Sequence, residues 1–212
     1  MKINLSNNEL FTFYALVAIS VIGLTLFVQY YPISGFDLYM THEIQGERAW
    51  GLTFLMKFIS SFYDPVLGPI SIIMASLFFF LTHHRREVWF TFAVILPDLF
   101  NLLMKILIHR ARPTPEDAKI LSTFTQSSFP SGHVVHYVVF FGFLIAAMVV
   151  NKNISSFWRI FVGIFSAFLI LTVSISRIYL GAHWVTDVLG GYLFGIIYLG
   201  VILNFYFKQM KS

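Results

Sequence analysis

The sequence of 212 residues contains no cysteine, which excludes disulfide bonds, thiolate catalysis and metal sites built on Cys. Charged residues are also scarce, at 11% of the chain against about 25% in an average soluble domain. This shortage excludes a disordered chain, a coiled coil and an ordinary water-soluble enzyme. The net charge of +4 is small and scattered, unlike the basic face of a nucleic-acid-binding protein, so we expect no nucleic-acid partner.

Hydrophobic residues are abundant instead, at 58% of the chain with 25 Phe, and they predict an integral membrane protein. A helix needs about 20 mostly apolar residues to cross the hydrocarbon core of a bilayer. Six segments meet this requirement: Leu10–Tyr30, Phe54–Leu81, Val88–Ile108, Val134–Val150, Phe157–Ile175 and Val185–Phe207. The predicted fold is therefore all-α, a six-transmembrane-helix bundle that forms a single domain over residues 1–212.

Two irregularities are expected at the start of the bundle. Between the first and second spans, Phe36, Met40 and Ile44 recur at helical spacing among polar residues, which predicts a short helix lying in the membrane interface. Asp64 and Pro65 interrupt the second span, so we predict a helix break there.

The third span carries a polar stripe at steps of three and four, formed by Asp98, Asn101, Lys105, His109 and Arg112. A charge inside a membrane is costly, so Asp98 is expected to face the bundle interior and to have a partner. Pro97, which precedes it, is expected to kink the helix.

Orientation follows from the distribution of Lys and Arg, which favours the cytoplasmic side. With the N-terminus inside, seven lie on the cytoplasmic side: Lys2, Arg85, Arg86, Lys152, Arg159, Lys208 and Lys211. Seven others lie on the opposite side: Arg48, Lys57, Lys105, Arg110, Arg112, Lys119 and Arg177. If Lys105, Arg112 and Arg177 belong to a binding site, only four Lys and Arg residues remain in the loops of the outer side, against seven on the cytoplasmic side. This difference predicts cytoplasmic N- and C-termini.

Polar residues concentrate in three stretches, 105–113, 129–133 and 176–187, which alternating spans bring to the same membrane face. Lys105 and Arg112 are seven residues apart, which on a helix places them on one face. Arg177 adds a third cation from the region between the fifth and sixth spans. Three converging cations repel one another unless an anion lies among them, and Arg and Lys are the residues that bind phosphate oxygens.

The segment Pro130-Ser131-Gly132-His133 lies where the fourth span begins. The N-terminus of a helix presents backbone N–H groups to an anion, and Gly132 allows close approach. Together with the cations, this segment predicts a phosphate pocket.

His183 and Asp187 are four residues apart at the start of the sixth span, so the carboxylate can accept a hydrogen bond from one ring nitrogen. The other nitrogen is then available as a nucleophile. His133 could donate a proton to the leaving group. Two other interpretations stay open: His133, His183 and Asp187 could ligate a metal, although the adjacent cations oppose one, and single cations could simply extend from helix ends to the interface.

The pattern K-x6-R-P, P-S-G-H and S-R-x5-H-x3-D resembles the three-part signature of the type 2 phosphatidic acid phosphatase superfamily. All three parts of the signature match without departure, and they lie between Lys105 and Asp187. The resemblance implies six transmembrane helices and an active site at the extracytoplasmic face of the cell membrane, without metal or cofactor. It implies His183 as the nucleophile that forms a phosphohistidine, Asp187 as its orienting group and His133 as the general acid. It assigns phosphate binding to Lys105, Arg112, Ser131, Gly132 and Arg177.

The leading hypothesis is a lipid phosphatase that acts on phosphatidylglycerol phosphate, undecaprenyl diphosphate or phosphatidate. The same pocket could pass the phosphoryl group to another acceptor, or bind vanadate as related soluble enzymes do. A transporter that binds anions is the alternative from another class. The sequence does not determine the preferred headgroup or the oligomeric state.

Overall fold

The computed structural model describes residues 7–46, 49–122 and 126–211, and all regular structure in these ranges is helical. Lys2 and Arg48, which enter the count of charges above, lie outside the described residues. The helices are α1 (Asn7–Tyr30), α2 (Gly35–Gln45), α3 (Trp50–Ser60), α4 (Leu67–Leu81), α5 (Arg85–Ala93), α6 (Ile95–Ile108), α7 (Gly132–Val150), α8 (Ser156–Tyr179) and α9 (Val185–Lys211).

Six stretches are long and apolar enough to cross a membrane, as predicted. Five are α1, the nearly continuous pair α5–α6, α7, α8 and α9, and the sixth is the bent pair α3–α4. The fifth span extends four residues beyond its predicted end, so Ser176 and Arg177 lie in the last turn of α8 and not in the connection that follows it.

Helix α7 forms the centre of the bundle, with α8 and α9 packed along it and α6 nearby. Most of its side chains are buried, whereas α1 is mostly exposed. The exposed side chains of the outer helices are large and apolar, for example Phe11, Ile164 and Leu171. These surfaces suit contact with lipid tails, which solvate apolar side chains as well as a protein core does.

Two glycines allow α9 to lie directly against α7. A Cβ atom at Gly191 would come within 2.7 Å of the Val134 Cβ, and one at Gly195 within 2.7 Å of the Val138 Cβ. Small residues at this G-x3-G spacing permit close helix packing.

The predicted break in the second span is confirmed. A 3₁₀ turn at Ser61–Tyr63 follows α3, and α4 begins at Leu67 with its axis bent by 62°. Asp64 and Pro65 lie in this break and line the polar cavity described below.

The third span ends at its predicted bound, Ile108, so its helix does not carry the polar stripe as far as Arg112. It is interrupted at Val94, three residues before Pro97, and its helix ends at Ile108, where His109 adopts a left-handed conformation with φ of 53°. The expectation that Lys105 and Arg112 share a helix face is therefore wrong, because Arg112 lies beyond the helix. They meet nevertheless, since the Lys105 Nζ donates to Ser127 O at 2.7 Å and the Arg112 Nη2 lies 3.5 Å from the same oxygen.

The short helix between the first two spans is present as α2, but the side that it buries was not expected. Asp37, Thr41 and Gln45, at steps of four, are buried against α8 and α9, while Phe36 is half exposed. The polar side faces inward because hydrogen-bonding partners lie there, including the carbonyls of Lys119 and Ile178 that Gln45 contacts. Its location in the membrane interface stays a prediction.

Replacing Gly195 with Ala is expected to destabilise the bundle. The new Cβ overlaps the branched side chain of Val138, and overpacking of this kind costs about 1–3 kcal/mol. Thermal unfolding in detergent should show a lower Tm for G195A. The matched control is G163A on α8, where an added Cβ meets nothing within 4 Å. Equal Tm values for the two variants would contradict close α7–α9 packing at Gly195.

Candidate active site

The three polar stretches meet around one cavity of about 510 Å³ at the end of the bundle where α6 ends and α7 and α9 begin. Its walls combine polar and charged side chains with apolar ones. They are Tyr63, Asp64, Pro65, Asp98, Leu99, Asn101, Leu102, Lys105, Arg112, Gln126, Gly132, His133 and His183. Five of the eight predicted site residues therefore line a single cavity: Lys105, Arg112, Gly132, His133 and His183.

His183 lies just before α9, with its Nδ1 3.4 Å from the Oδ2 of Asp187 in the first turn of that helix. Asp187 is completely buried, and the same Oδ2 accepts hydrogen bonds from the Trp184 amide at 2.8 Å and from the Ser128 hydroxyl at 2.5 Å. A carboxylate that accepts from the backbone N–H three residues before it forms one of the two hydrogen bonds of a capping box. The cap holds the carboxylate beside His183.

The other ring nitrogen of His183 lies beside a cation. The Nε2 is 3.3 Å from the Arg112 Nη1. A guanidinium has only donors, so this contact requires a lone pair on Nε2 and places the ring proton on Nδ1, toward Asp187. This is the tautomer in which Nε2 can attack an electrophile.

Burial and charge both keep His183 neutral. Burial lowers the pKa of the His183 imidazole well below its ordinary value of 6.5, and the neighbouring cations Arg112, Lys105 and Arg177 lower it further. Burial also lowers the pKa of Arg112 to about 10, an effect that the Asp187 carboxylate opposes, so the guanidinium stays charged at neutral pH.

The cations of the site are held by protein oxygens. Arg112 donates through Nε to Gln126 O at 2.7 Å and through Nη1 to Ala182 O at 2.6 Å. Arg177 is buried and donates to the Ser60 hydroxyl at 2.8 Å. Arg177 does not line the cavity, although its charge acts on both His133 and His183. Carbonyls and hydroxyls only partly balance three cations, so the electrostatics favour an anion here.

His133 lies in the first turn of α7 and is buried at the cavity wall. Its Nε2 is 3.7 Å from the Oδ1 of Asp64, and its ring packs edge-on against Tyr63 with centroids 4.9 Å apart. A carboxylate at this distance favours the protonated imidazole. The break in the second span thus supplies a partner for the residue that was expected to act as the acid.

Ser131 and Gly132 start α7 as expected, but they differ in exposure to the cavity. Gly132 lines it, whereas Ser131 is buried and its amide donates to the Asp187 carbonyl at 3.1 Å. The Ser131 Oγ has no hydrogen-bond partner among the described residues. Phosphate binding by the Ser131 side chain therefore stays a prediction.

Arg110 is the site residue that the sequence analysis interpreted wrongly. It was counted as a loop cation, yet it is buried and contacts Asp37 at 2.8 Å and Asp187 at 2.5 Å. Ser128 donates to the Asp187 carboxylate, and no periodic pattern in the sequence indicates this role. The burial of Asp37 could have been predicted from the spacing of the polar residues Asp37, Thr41 and Gln45, which places them on one side of α2.

Asp98 has the interior partner that was expected. Its Oδ2 lies 3.0 Å from the His136 Nδ1, one turn beyond His133 on α7. The Tyr63 ring packs on His136 with centroids 4.6 Å apart and also contacts His133. Within the described ranges, no group of three His, Asp or Glu side chains is arranged to hold a metal ion.

Comparisons with known proteins show which family the chain belongs to. The family model of the PAP2 superfamily matches residues 86–211. Phosphatidylglycerophosphatase B of Bacillus subtilis (strain 168) is 33% identical over 150 residues, which cover 69% of this chain and 68% of that protein.

Two solved structures are similar. The transmembrane PAP2 type phosphatidylglycerolphosphate phosphatase from Bacillus subtilis has a TM-score of 0.73 at 25% identity, covering 90% of this chain and 96% of that one. LpxE of Aquifex aeolicus has a TM-score of 0.59 at 21% identity, covering 79% and 94%, and shows similarity of fold.

The His183 imidazole is expected to stay neutral in mildly acidic solution. At pH 6.0 a histidine with the ordinary pKa of about 6.5 is roughly three quarters protonated. In ¹⁵N-histidine-labelled protein in detergent, His183 should instead show one protonated and one unprotonated nitrogen at this pH. The H183Q variant identifies the signal by its loss. A signal that titrates near pH 6.5 would contradict the described environment.

Proposed function

Because this chain belongs to the PAP2 superfamily, we propose that it removes phosphate from a membrane lipid through a covalent intermediate on His183. The protein is a membrane lipid phosphatase by class. The observation that carries the proposed chemistry is the pair of contacts of His183: Nδ1 faces the buried Asp187 carboxylate, while Nε2 lies in the cavity beside Arg112. A nucleophile directed by a carboxylate and placed next to a phosphate-binding cation suits phosphoryl transfer.

In the first step, the His183 Nε2 attacks phosphorus and forms a P–N bond while the P–O bond to the lipid breaks. The ring proton stays on Nδ1, where Asp187 stabilises the positive charge that develops on the imidazole. Lys105 and Arg112 at the cavity wall neutralise the equatorial phosphate oxygens, and the buried charge of Arg177 adds to their field. The N–H groups at the start of α7, including Gly132, add hydrogen bonds.

His133 supplies the proton that the departing lipid oxygen needs. The neighbouring Asp64 carboxylate, 3.7 Å from the His133 Nε2, supports its protonated form. In the second step, the neutral His133 removes a proton from water, whose oxygen attacks phosphorus. The P–N bond then breaks, phosphate leaves, and both histidines return to their starting states.

Phosphatidylglycerol phosphate is the substrate that we place first, because the relative at 33% identity is named for that lipid. Undecaprenyl diphosphate and phosphatidate are the competing substrates. The cavity wall supports a lipid of some kind, since it includes Leu99 and Leu102, which are 59% and 40% exposed on the outer surface of α6. Lipid tails can contact these side chains while the phosphate occupies the polar part of the cavity.

The site is proposed to lie at the extracytoplasmic face, with both termini in the cytoplasm. The burial of Arg110 supports this orientation, because it removes a further cation from the outer count. Of the seven outer Lys and Arg residues, four now belong to the site or its supporting contacts, which leaves three against seven on the cytoplasmic side.

Two histidine variants should differ in their dependence on the leaving group. H183A removes the nucleophile and should abolish phosphate release from every substrate. H133A removes only the acid, so it should lose about 10²–10⁴-fold with a lipid phosphate and much less with p-nitrophenyl phosphate, whose leaving group needs no proton. Phosphate release by purified protein in detergent measures both effects.

The control for this pair is H83N, which changes an exposed histidine in the turn between α4 and α5, away from the cavity, and should keep wild-type activity. Asn tolerates the left-handed backbone found at that position. Wild-type turnover by H183A would refute the mechanism. Equal losses for H133A on both substrates would refute its role as acid.

A panel of lipids should identify the substrate and the acceptor. We expect the highest kcat/KM for phosphatidylglycerol phosphate over phosphatidate and undecaprenyl diphosphate, with free phosphate as product and no effect of EDTA. A loss with EDTA that a divalent ion restores would favour a metal site. Phosphate recovered on another alcohol would indicate a transferase, and flux across liposomes without phosphate release would indicate a transporter.

A further inference from the structure

Arg110 joins two buried carboxylates that belong to different helices. Its side chain is 1% exposed, and it contacts Asp37 of α2 through Nη2 and Asp187 of α9 through Nη1. It also donates to the Thr186 hydroxyl at 2.7 Å and through Nε to the Pro32 carbonyl at 2.9 Å. Four of the five N–H groups of the guanidinium thus meet protein oxygens.

Asp37 completes the connection from the other side. Its Oδ1 accepts from the amide and the hydroxyl of Thr186 at 3.0 and 2.8 Å, and its Oδ2 accepts from Arg110 and from Ser34. The Thr186 amide belongs to the first turn of α9, beside Asp187. The Asp37 carboxylate on α2 therefore holds both Arg110, which contacts Asp187, and the first turn of α9, which contains Asp187.

The position of Arg110 differs from that of Arg112, which donates to the carbonyls of Gln126 and Ala182 and not to carboxylates. Arg110 is absent from the walls of the 510 Å³ cavity, whereas Arg112, two residues later, lines it. A buried carboxylate needs a nearby cation or several hydrogen bonds to stay ionised. For Asp187 the cation in direct contact is Arg110, and its contact is with Oδ1, which leaves Oδ2 toward His183.

We propose that Arg110 and Asp37 are positioning residues for catalysis, which keep the Asp187 carboxylate ionised and oriented so that the proton of His183 stays on Nδ1. The inference rests on the proposed role of His183 as nucleophile. It also gives α2 a function, since the helix between the first two spans holds the catalytic carboxylate through its inward polar side. Neither residue contacts the substrate in this proposal.

The decisive variant is the double substitution R110M/D37N. It removes one positive and one negative charge together, so it does not leave Asp37 as a buried carboxylate without its arginine. The single substitution D37N serves as a second variant, because it preserves shape and retains Arg110. Both are compared with R86M/E87Q, a matched change in the Arg86–Glu87 ion pair, which lies away from the cavity.

The double variant should lower kcat about 10–100-fold, the usual range for a residue that orients a catalytic group, with KM within threefold of the wild type. D37N should lower kcat about tenfold. In ¹⁵N-histidine spectra of the folded protein, both variants should reduce the population of the His183 tautomer protonated on Nδ1. A residue that only stabilises the fold would not change this tautomer.

The R86M/E87Q control should keep the wild-type kcat and His183 spectrum, whatever its Tm. Wild-type kcat and tautomer in R110M/D37N, or in D37N if the double variant does not fold, would overturn the inference. A raised KM with unchanged kcat would overturn it as well, because that result assigns Arg110 to substrate binding. If H183A itself retains activity, the proposed mechanism fails first, and the two failures are distinguishable.

Discussion

The rest of the site depends on the interactions of one buried group, the carboxylate of Asp187. It is completely buried, and an unpaired charge in such an environment is destabilising by several kcal/mol. It is held by Arg110, the Ser128 hydroxyl and the Trp184 amide, and it lies beside His183. These partners come from the loop after α6, the segment before α7 and the start of α9. Satisfying one buried charge therefore fixes the relative positions of three segments, which are the segments that surround the cavity.

The membrane environment explains why the polar contacts gather at one end of the bundle. Apolar contacts between helices gain little in lipid, so close packing through small residues such as Gly191 and Gly195 brings α7 and α9 together along their length. Polar groups facing lipid are costly, so they pair inside the bundle, as Asp98 does with His136. A site for a lipid phosphate needs both properties, because its ligand is an anion attached to an apolar tail.

Much of the fold and the location of the candidate site could be predicted from the sequence. The six spans, the break at Asp64 and the meeting of the three polar stretches follow from hydropathy, proline chemistry and the alternation of spans. The reason expected for the proximity of Lys105 and Arg112 was wrong, because the helix ends at Ile108 and the chain changes direction at His109. Both cations reach the cavity because they bind the same short segment, Gln126–Ser127, which is distant in sequence. The periodicity of a sequence does not indicate contacts between segments that are distant along the chain.

The sequence by itself determined that this protein is solvated by a membrane, through its long apolar segments. It also determined the residue types of the candidate site, which are cations, two histidines and an aspartate that suit a phosphate. Tertiary structure alone decided which charges serve which purpose. Arg110 and Arg112 are two residues apart in the same irregular segment and are chemically identical, yet Arg112 lines the cavity while Arg110 is enclosed by Asp37 and Asp187. The difference arises because long-range partners decide where a side chain in a nonhelical segment points. The carboxylates that hold Arg110 belong to α2 and α9, whereas Arg112 contacts the carbonyls of Gln126 and Ala182.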